Sequence, residues 1–346
     1  MQRHVERFLR WGAVTLALAT SACLVPAPNS GQVVPGPQPS LPTPVTVEYV
    51  TTGDPNDLRK IDIYEPDTPG TDRPLIVYVH GGAWMLPGRE SIRCGGQPPC
   101  NPYTSLPALG MQVDRGYVLA SVGYPLLTAT TNGHPTQVRN VKLAIKWLVD
   151  HAATYGIDPD QIVVAGHSAG GHLAAMTALT PGLYEPTGVA ATHVDGFMTL
   201  NGPTDLESWA IWGDQPGGGR PAWIADASIA QAGCDHTVPS CVAVGGPMDQ
   251  ASPLFHASAG DPPGYLTCKD WDPFVPCDQL QVLHDKLVTV QGGNQQAAVF
   301  DRIACTGSPA RPVPCGPESA DPIERHNPDF DLNLDALQQW LDGVTN

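Results

Sequence analysis

The five residues Gly166-His167-Ser168-Ala169-Gly170 stand between an apolar run, Ile162-Val163-Val164-Ala165, and a run of helix-compatible residues from His172 to Leu179. A strand that turns sharply into a helix brings backbone segments close together, and Gly166 and Gly170 leave the room for it. Such a turn lifts the Ser168 hydroxyl clear of the sheet. A serine held in that setting can act as a nucleophile.

The rest of the chain continues the alternation. Lys60-Ile61-Asp62-Ile63-Tyr64 reads as an early strand, and residues 75–79 and 118–124 are apolar enough for strands buried on both faces. Between Gln137 and Tyr155, Val141, Ala144, Ile145, Leu148 and Ala152 recur at helical spacing. Further strands are expected at 194–200, 265–267 and 297–300, and Leu334, Leu337, Trp340 and Leu341 predict a closing helix. The pattern predicts an α/β fold, a mostly parallel central sheet with helices on both faces, occupying residues 46–346. Residues 203–260 break it with Trp209, Trp212, Trp223 and the run Gly217-Gly218-Gly219, which suggests an inserted cap.

The chain opens with Arg3, Arg7 and Arg10, a short apolar run from Trp11 to Ala19, and Thr20-Ser21-Ala22-Cys23. That order reads as a signal peptide over residues 1–22, with an apolar run too short to span a bilayer. Cys23 lies where a bacterial lipoprotein is acylated, so the chain is expected to be exported, either secreted or anchored to a membrane through Cys23. Residues 23–45 hold seven prolines among small residues and read as an extended tether. The formal charge is −16, and removing residues 1–22 takes away three arginines and Glu6 to leave −18. That balance excludes nucleic acid as a partner. With Cys23 set aside, eight cysteines form four close pairs: Cys94 with Cys100, Cys234 with Cys241, Cys268 with Cys277, and Cys305 with Cys315. In an exported chain these suggest four local disulfides, although eight cysteines permit 105 connectivities. The sequence lacks C-x-x-C and H-E-x-x-H, so no metal or other cofactor is expected.

A second glycine turn, His80-Gly81-Gly82-Ala83-Trp84, follows the strand at 75–79. It presents backbone N–H groups of the kind that stabilise an oxyanion. Together with Gly166-His167-Ser168-Ala169-Gly170-Gly171-His172-Leu173-Ala174, it resembles the α/β-hydrolase superfamily. Within that superfamily the resemblance is to HGG-type carboxylesterases and esterases related to hormone-sensitive lipase, over residues 58–345.

The resemblance implies a chain order of serine, acid, histidine. Asp272-Pro273-Phe274-Val275-Pro276 is similar to the D-x-x-V-P segment that carries the acid, with Asp270 as the alternative. Of the histidines beyond it, His284 falls in a helix-like segment, whereas His326 falls where such hydrolases place the base. The implied reaction is hydrolysis of a carboxylic ester by Ser168, His326 and Asp272, with the N–H groups of Gly82, Ala83 and Ala169 as the oxyanion hole. A serine peptidase of the prolyl-oligopeptidase kind and a non-catalytic binding protein on the same fold are the alternatives.

Overall fold

The computed structural model describes residues 41–52, 57–93, 107–128, 133–215, 221, 223–270, 272–303, 326 and 332–345. Cys23, Cys94, Cys100, Cys305 and Cys315, the segment read as a signal peptide and most of that read as a tether lie outside the described residues. Eight strands form one sheet: β1 (Val45–Glu48), β2 (Lys60–Tyr64), β3 (Arg73–Val79), β4 (Val118–Val122), β5 (Ile157–His167), β6 (Gly196–Leu200), β7 (Gly264–Lys269) and β8 (Ala298–Ile303). Their order is β1-β2-β4-β3-β5-β6-β7-β8. β1 and β2 pair antiparallel, as do β2 and β4, and the other neighbours are parallel. β1 opens at Val45, one residue inside the stretch read as tether.

The helices are α1 (Pro107–Asp114), α2 (Thr136–Asp150), α3 (Ala152–Tyr155), α4 (Ala169–Leu179), α5 (Leu206–Asp214), α6 (Trp223–Ala232), α7 (Pro247–Gln250), α8 (Cys277–Val290) and α9 (Leu334–Val344). Side chains of β3 alternate between two cores, as the pleat dictates. Leu75, Val77 and Val79 join Val141, Leu173 and Met176 of α2 and α4. Ile76 and Tyr78 join Leu109 of α1 and Leu337 and Trp340 of α9. An apolar strand run thus follows from helices on both faces. Among the described residues no helix is long and apolar enough to cross a membrane.

The helical pattern from Gln137 to Tyr155 is two helices, not one. At His151 the backbone leaves the helix (φ −112°, ψ 14°). The ring of His151 stacks on Trp147, and its Nδ1–H donates to the Trp147 carbonyl at 2.7 Å, closing the end of α2. In the segment 203–260, α5 and α6 pack on one another and Cys234 is bridged to Cys241. A second bridge joins Cys268 on β7 to Cys277, the first residue of α8. Two of the four proposed local pairs are thus formed.

Candidate active site

Ser168 connects the C-terminal end of β5 to the N-terminus of α4, with φ 55° and ψ −124°. A non-glycine residue at positive φ is uncommon and persists only where its surroundings enforce it. Here the enforcement is backbone packing. A Cβ on Gly170 would come within 1.9 Å of the Val79 carbonyl oxygen, and one on Gly166 within 2.2 Å of that of Gly170. Every residue of α4 is buried, whereas Ser168 itself is partly exposed. The Ser168 N–H donates to the Leu200 carbonyl at 2.8 Å, which ties the turn to the end of β6.

The second glycine turn lies against the first. A Cβ on Gly81 would meet Ser168 Cβ at 3.2 Å and the His167 carbonyl oxygen at 2.8 Å. Beyond it Gly82, Ala83 and Trp84 take φ values of 103°, 51° and 61°. Trp84 holds this strained path because it is buried, edge-on to His172 at 5.2 Å and to Trp209 at 6.0 Å. Its carbonyl also accepts the Leu127 N–H at 2.8 Å. Gly82 and Ala83 are partly exposed. His80 is buried with its ring stacked on Tyr124 and its Nδ1–H donated to the Gly81 carbonyl at 2.8 Å. Burial holds its pKa down at about 4, and does the same to His172. Both are neutral parts of the framework at pH 7.

Asp272 and His326 are in direct contact: His326 Nδ1–H donates to Asp272 Oδ2 at 2.7 Å, and both residues are buried. The other carboxylate oxygen, Oδ1, accepts the N–H groups of Phe274 at 2.8 Å and Val275 at 3.1 Å. His326 also rests on the serine turn. The His167 and His326 rings lie 4.7 Å apart, and His167 Nε2–H donates to the His326 carbonyl at 3.0 Å. Phe274 packs edge-on against His326 at 5.1 Å. Asp270 instead pairs with Arg302 at 2.7 Å, and His284 sits on α8 beside Asp285 at 2.9 Å. Neither of these two is brought to His326 by those bonds.

Three contacts of the site had no signal in the sequence, although Trp209 and Trp223 stood out in the segment read as a cap. The amide Nδ2–H of Asn201 donates to Asp272 Oδ2 at 2.5 Å. His167 carries the His326 main chain. Trp209 Nε1–H donates to the Phe274 carbonyl at 2.8 Å, and Trp223 packs on the Phe274 ring at 5.6 Å, so the segment 203–260 rests on the side chain that covers His326. Among the described residues no group of three or more His, Cys, Asp or Glu side chains could hold a metal ion.

Comparison with known proteins bears on the fold and on the stretch that holds Ser168 and Asp272. The profile of the BD-FAE family matches residues 61–287, which runs from β2 through Ser168 and Asp272 into α8. The chain belongs to the BD-FAE family. It is 33% identical to the esterase LipQ of Mycobacterium tuberculosis over 151 residues, 42% of this chain and 32% of LipQ. It is 33% identical to the carboxylesterase NlhH of the same organism over 118 residues, 34% of this chain and 33% of NlhH. The matches thus span about a third of the length of these relatives. An esterase of Thermogutta terrifontis with propionate bound aligns over 88% of this chain and 96% of its own, with TM-score 0.60 and 22% identity. A truncated carbohydrate esterase from gut microbiota aligns over 89% and 99%, with TM-score 0.63 and 20% identity. These two structures share the α/β-hydrolase fold that the BD-FAE chain adopts.

Proposed function

We propose that this chain is a serine-dependent carboxylic ester hydrolase. The observation that carries the reading is the hydrogen bond of buried Asp272 to His326, whose main chain is bound to the residue preceding Ser168. Ser168 Oγ attacks the ester carbonyl carbon and passes its proton to His326 Nε2. The N–H groups of Gly82, Ala83 and Ala169 stabilise the oxyanion. Collapse of the intermediate breaks the ester bond, and the alcohol leaves with the proton from His326. Water then repeats the sequence on the acyl-enzyme and releases the acid. Asp272 keeps the imidazole in the tautomer that accepts at Nε2.

The segment 203–260 serves as a cap in this reading, supported by Trp209 and Trp223 on Phe274. The two local bridges support export into an oxidising compartment, the chain being either secreted or anchored through Cys23. The relatives include an esterase with propionate bound and a carbohydrate esterase, so nitrophenyl esters of short acids are the first substrates to test. The purified chain should hydrolyse these esters and bind a fluorophosphonate probe covalently, and Ser168→Ala should abolish both while remaining folded. Turnover near the wild-type level in folded Ser168→Ala would sink the assignment, and a wild-type chain inert to ester and probe alike would leave a binding protein.

A further inference from the structure

Asp272 Oδ2 carries two hydrogen bonds, one from His326 Nδ1–H at 2.7 Å and one from the amide of Asn201 at 2.5 Å. Asn201 is fully buried, and among the described residues its own Oδ1 has no hydrogen-bond partner. Turning the amide over would set its oxygen against a carboxylate oxygen at the same distance, so the chemistry of the pair fixes Nδ2 as the donor. The fold spends a buried acceptor to keep that donor on the acid.

The backbone explains why this residue is asparagine. Asn201 has φ 50°, in the left-handed region that glycine, asparagine and aspartate tolerate best. Glycine has no side-chain donor. Aspartate would put a second carboxylate against the first. The position is pinned from both sides, since the Ser168 N–H donates to the Leu200 carbonyl at 2.8 Å and the Asn201 N–H to the Thr267 carbonyl at 2.8 Å. Two consecutive residues therefore tie the serine turn to the acid.

We infer that Asn201 is a positioning residue for the hydrolytic reaction: its amide fixes the Asp272 carboxylate so that Oδ2 faces His326, and it shares the negative charge that would otherwise hold the imidazolium. This rests on the triad reading above. Of the described titratable groups, Asp272 and His167 face His326.

Asn201→Gly keeps the backbone conformation and removes the donor. It should lower kcat on the order of 10–100-fold, as loss of alignment does, with KM nearly unchanged. The acid limb of its kcat/KM profile should move to higher pH, because the imidazolium is held more strongly by an unshared carboxylate. Asn201→Asp, of the same size and backbone preference, should move that limb further. A merely structural residue would lower Tm in both variants and leave kcat and the pH profile in place, and that result overturns the inference. If Asn201→Gly does not fold, the profile of Asn201→Asp decides alone. A wild-type chain with no esterase activity overturns the hydrolase reading and this inference with it. An active wild type beside variants of unchanged kcat and profile overturns the inference only.

Discussion

The imidazole of His167 lies 4.7 Å from that of His326 and donates its Nε2–H to the main-chain oxygen of the same residue. The residue before Ser168 therefore carries the residue proposed as its base. His167→Leu removes the donor from a buried position and should lower kcat roughly tenfold through misplacement of His326. His167→Gln, which offers an N–H, should recover part of the loss. Steady-state kinetics on a nitrophenyl ester would check both, and a fully active His167→Leu would refute the tether.

The carboxylates two residues apart after β7 should separate cleanly. Asp272→Asn removes the acceptor of His326 Nδ1–H and should cost roughly 10⁴ in kcat, the size of effect seen when a triad acid becomes an amide. Asp270→Asn loses an ion pair with a half-exposed arginine, which is worth less than about 1 kcal/mol. Its kcat should stay near the wild-type value. Reversed effects would move the acid to Asp270.

Buried histidines should weaken the fold on the acid side. His80 and His172 each have a folded pKa of about 4 because burial disfavours the imidazolium, against an ordinary value of 6.5. Between these values the unfolded chain binds more protons than the folded one, so stability falls as pH drops from about 6.5 toward 4. Each residue contributes on the order of 3 kcal/mol to that loss. Denaturant melts at pH 7, 5.5 and 4.5 should show the decline, and His80→Gln should flatten it. An unchanged slope in that variant would mean that other groups dominate.

The Cys268–Cys277 bridge closes the loop that holds Asp272. Replacing both cysteines with alanine should destabilise the fold by about 2–3 kcal/mol from loop closure alone. It should also lower kcat, because the carboxylate loses one end of its support. Non-reducing peptide mapping checks the pairing, and paired melts and kinetics on the double variant check the rest. A variant with wild-type stability and rate would make the bridge incidental.

The central strands were legible because burial on both faces leaves an unbroken apolar signature, as in Leu75 to Val79 and Ile162 to Ala165. β1 was not legible. It is a four-residue edge strand, mostly exposed, held by backbone pairing of Val45 to Ile63 through Glu48 to Lys60. The break at His151 depends on one side chain folding back onto Trp147, which hydrophobic periodicity does not register. The serine turn was legible since its glycines are demanded locally. Asn201 was not, because Asn201-Gly202-Pro203 reads as an ordinary turn and its partner Asp272 lies 71 residues further on. Lys142 shows the same blindness: it falls within an amphipathic helix pattern, yet it is buried and paired to Glu185 at 2.7 Å.

The contacts that assemble the site join residues far apart along the chain: 54 positions between Asp272 and His326, and 159 between His167 and His326. None can persist until β5, β6 and β7 are side by side, and contacts of such span form late in folding. A newly made, unfolded chain therefore carries all of its candidate reactive groups without the means to use them. Esterolysis during refolding should rise with the last phase that completes the sheet and should lag behind the recovery of helix, so that the appearance of activity serves as a clock for the final assembly step.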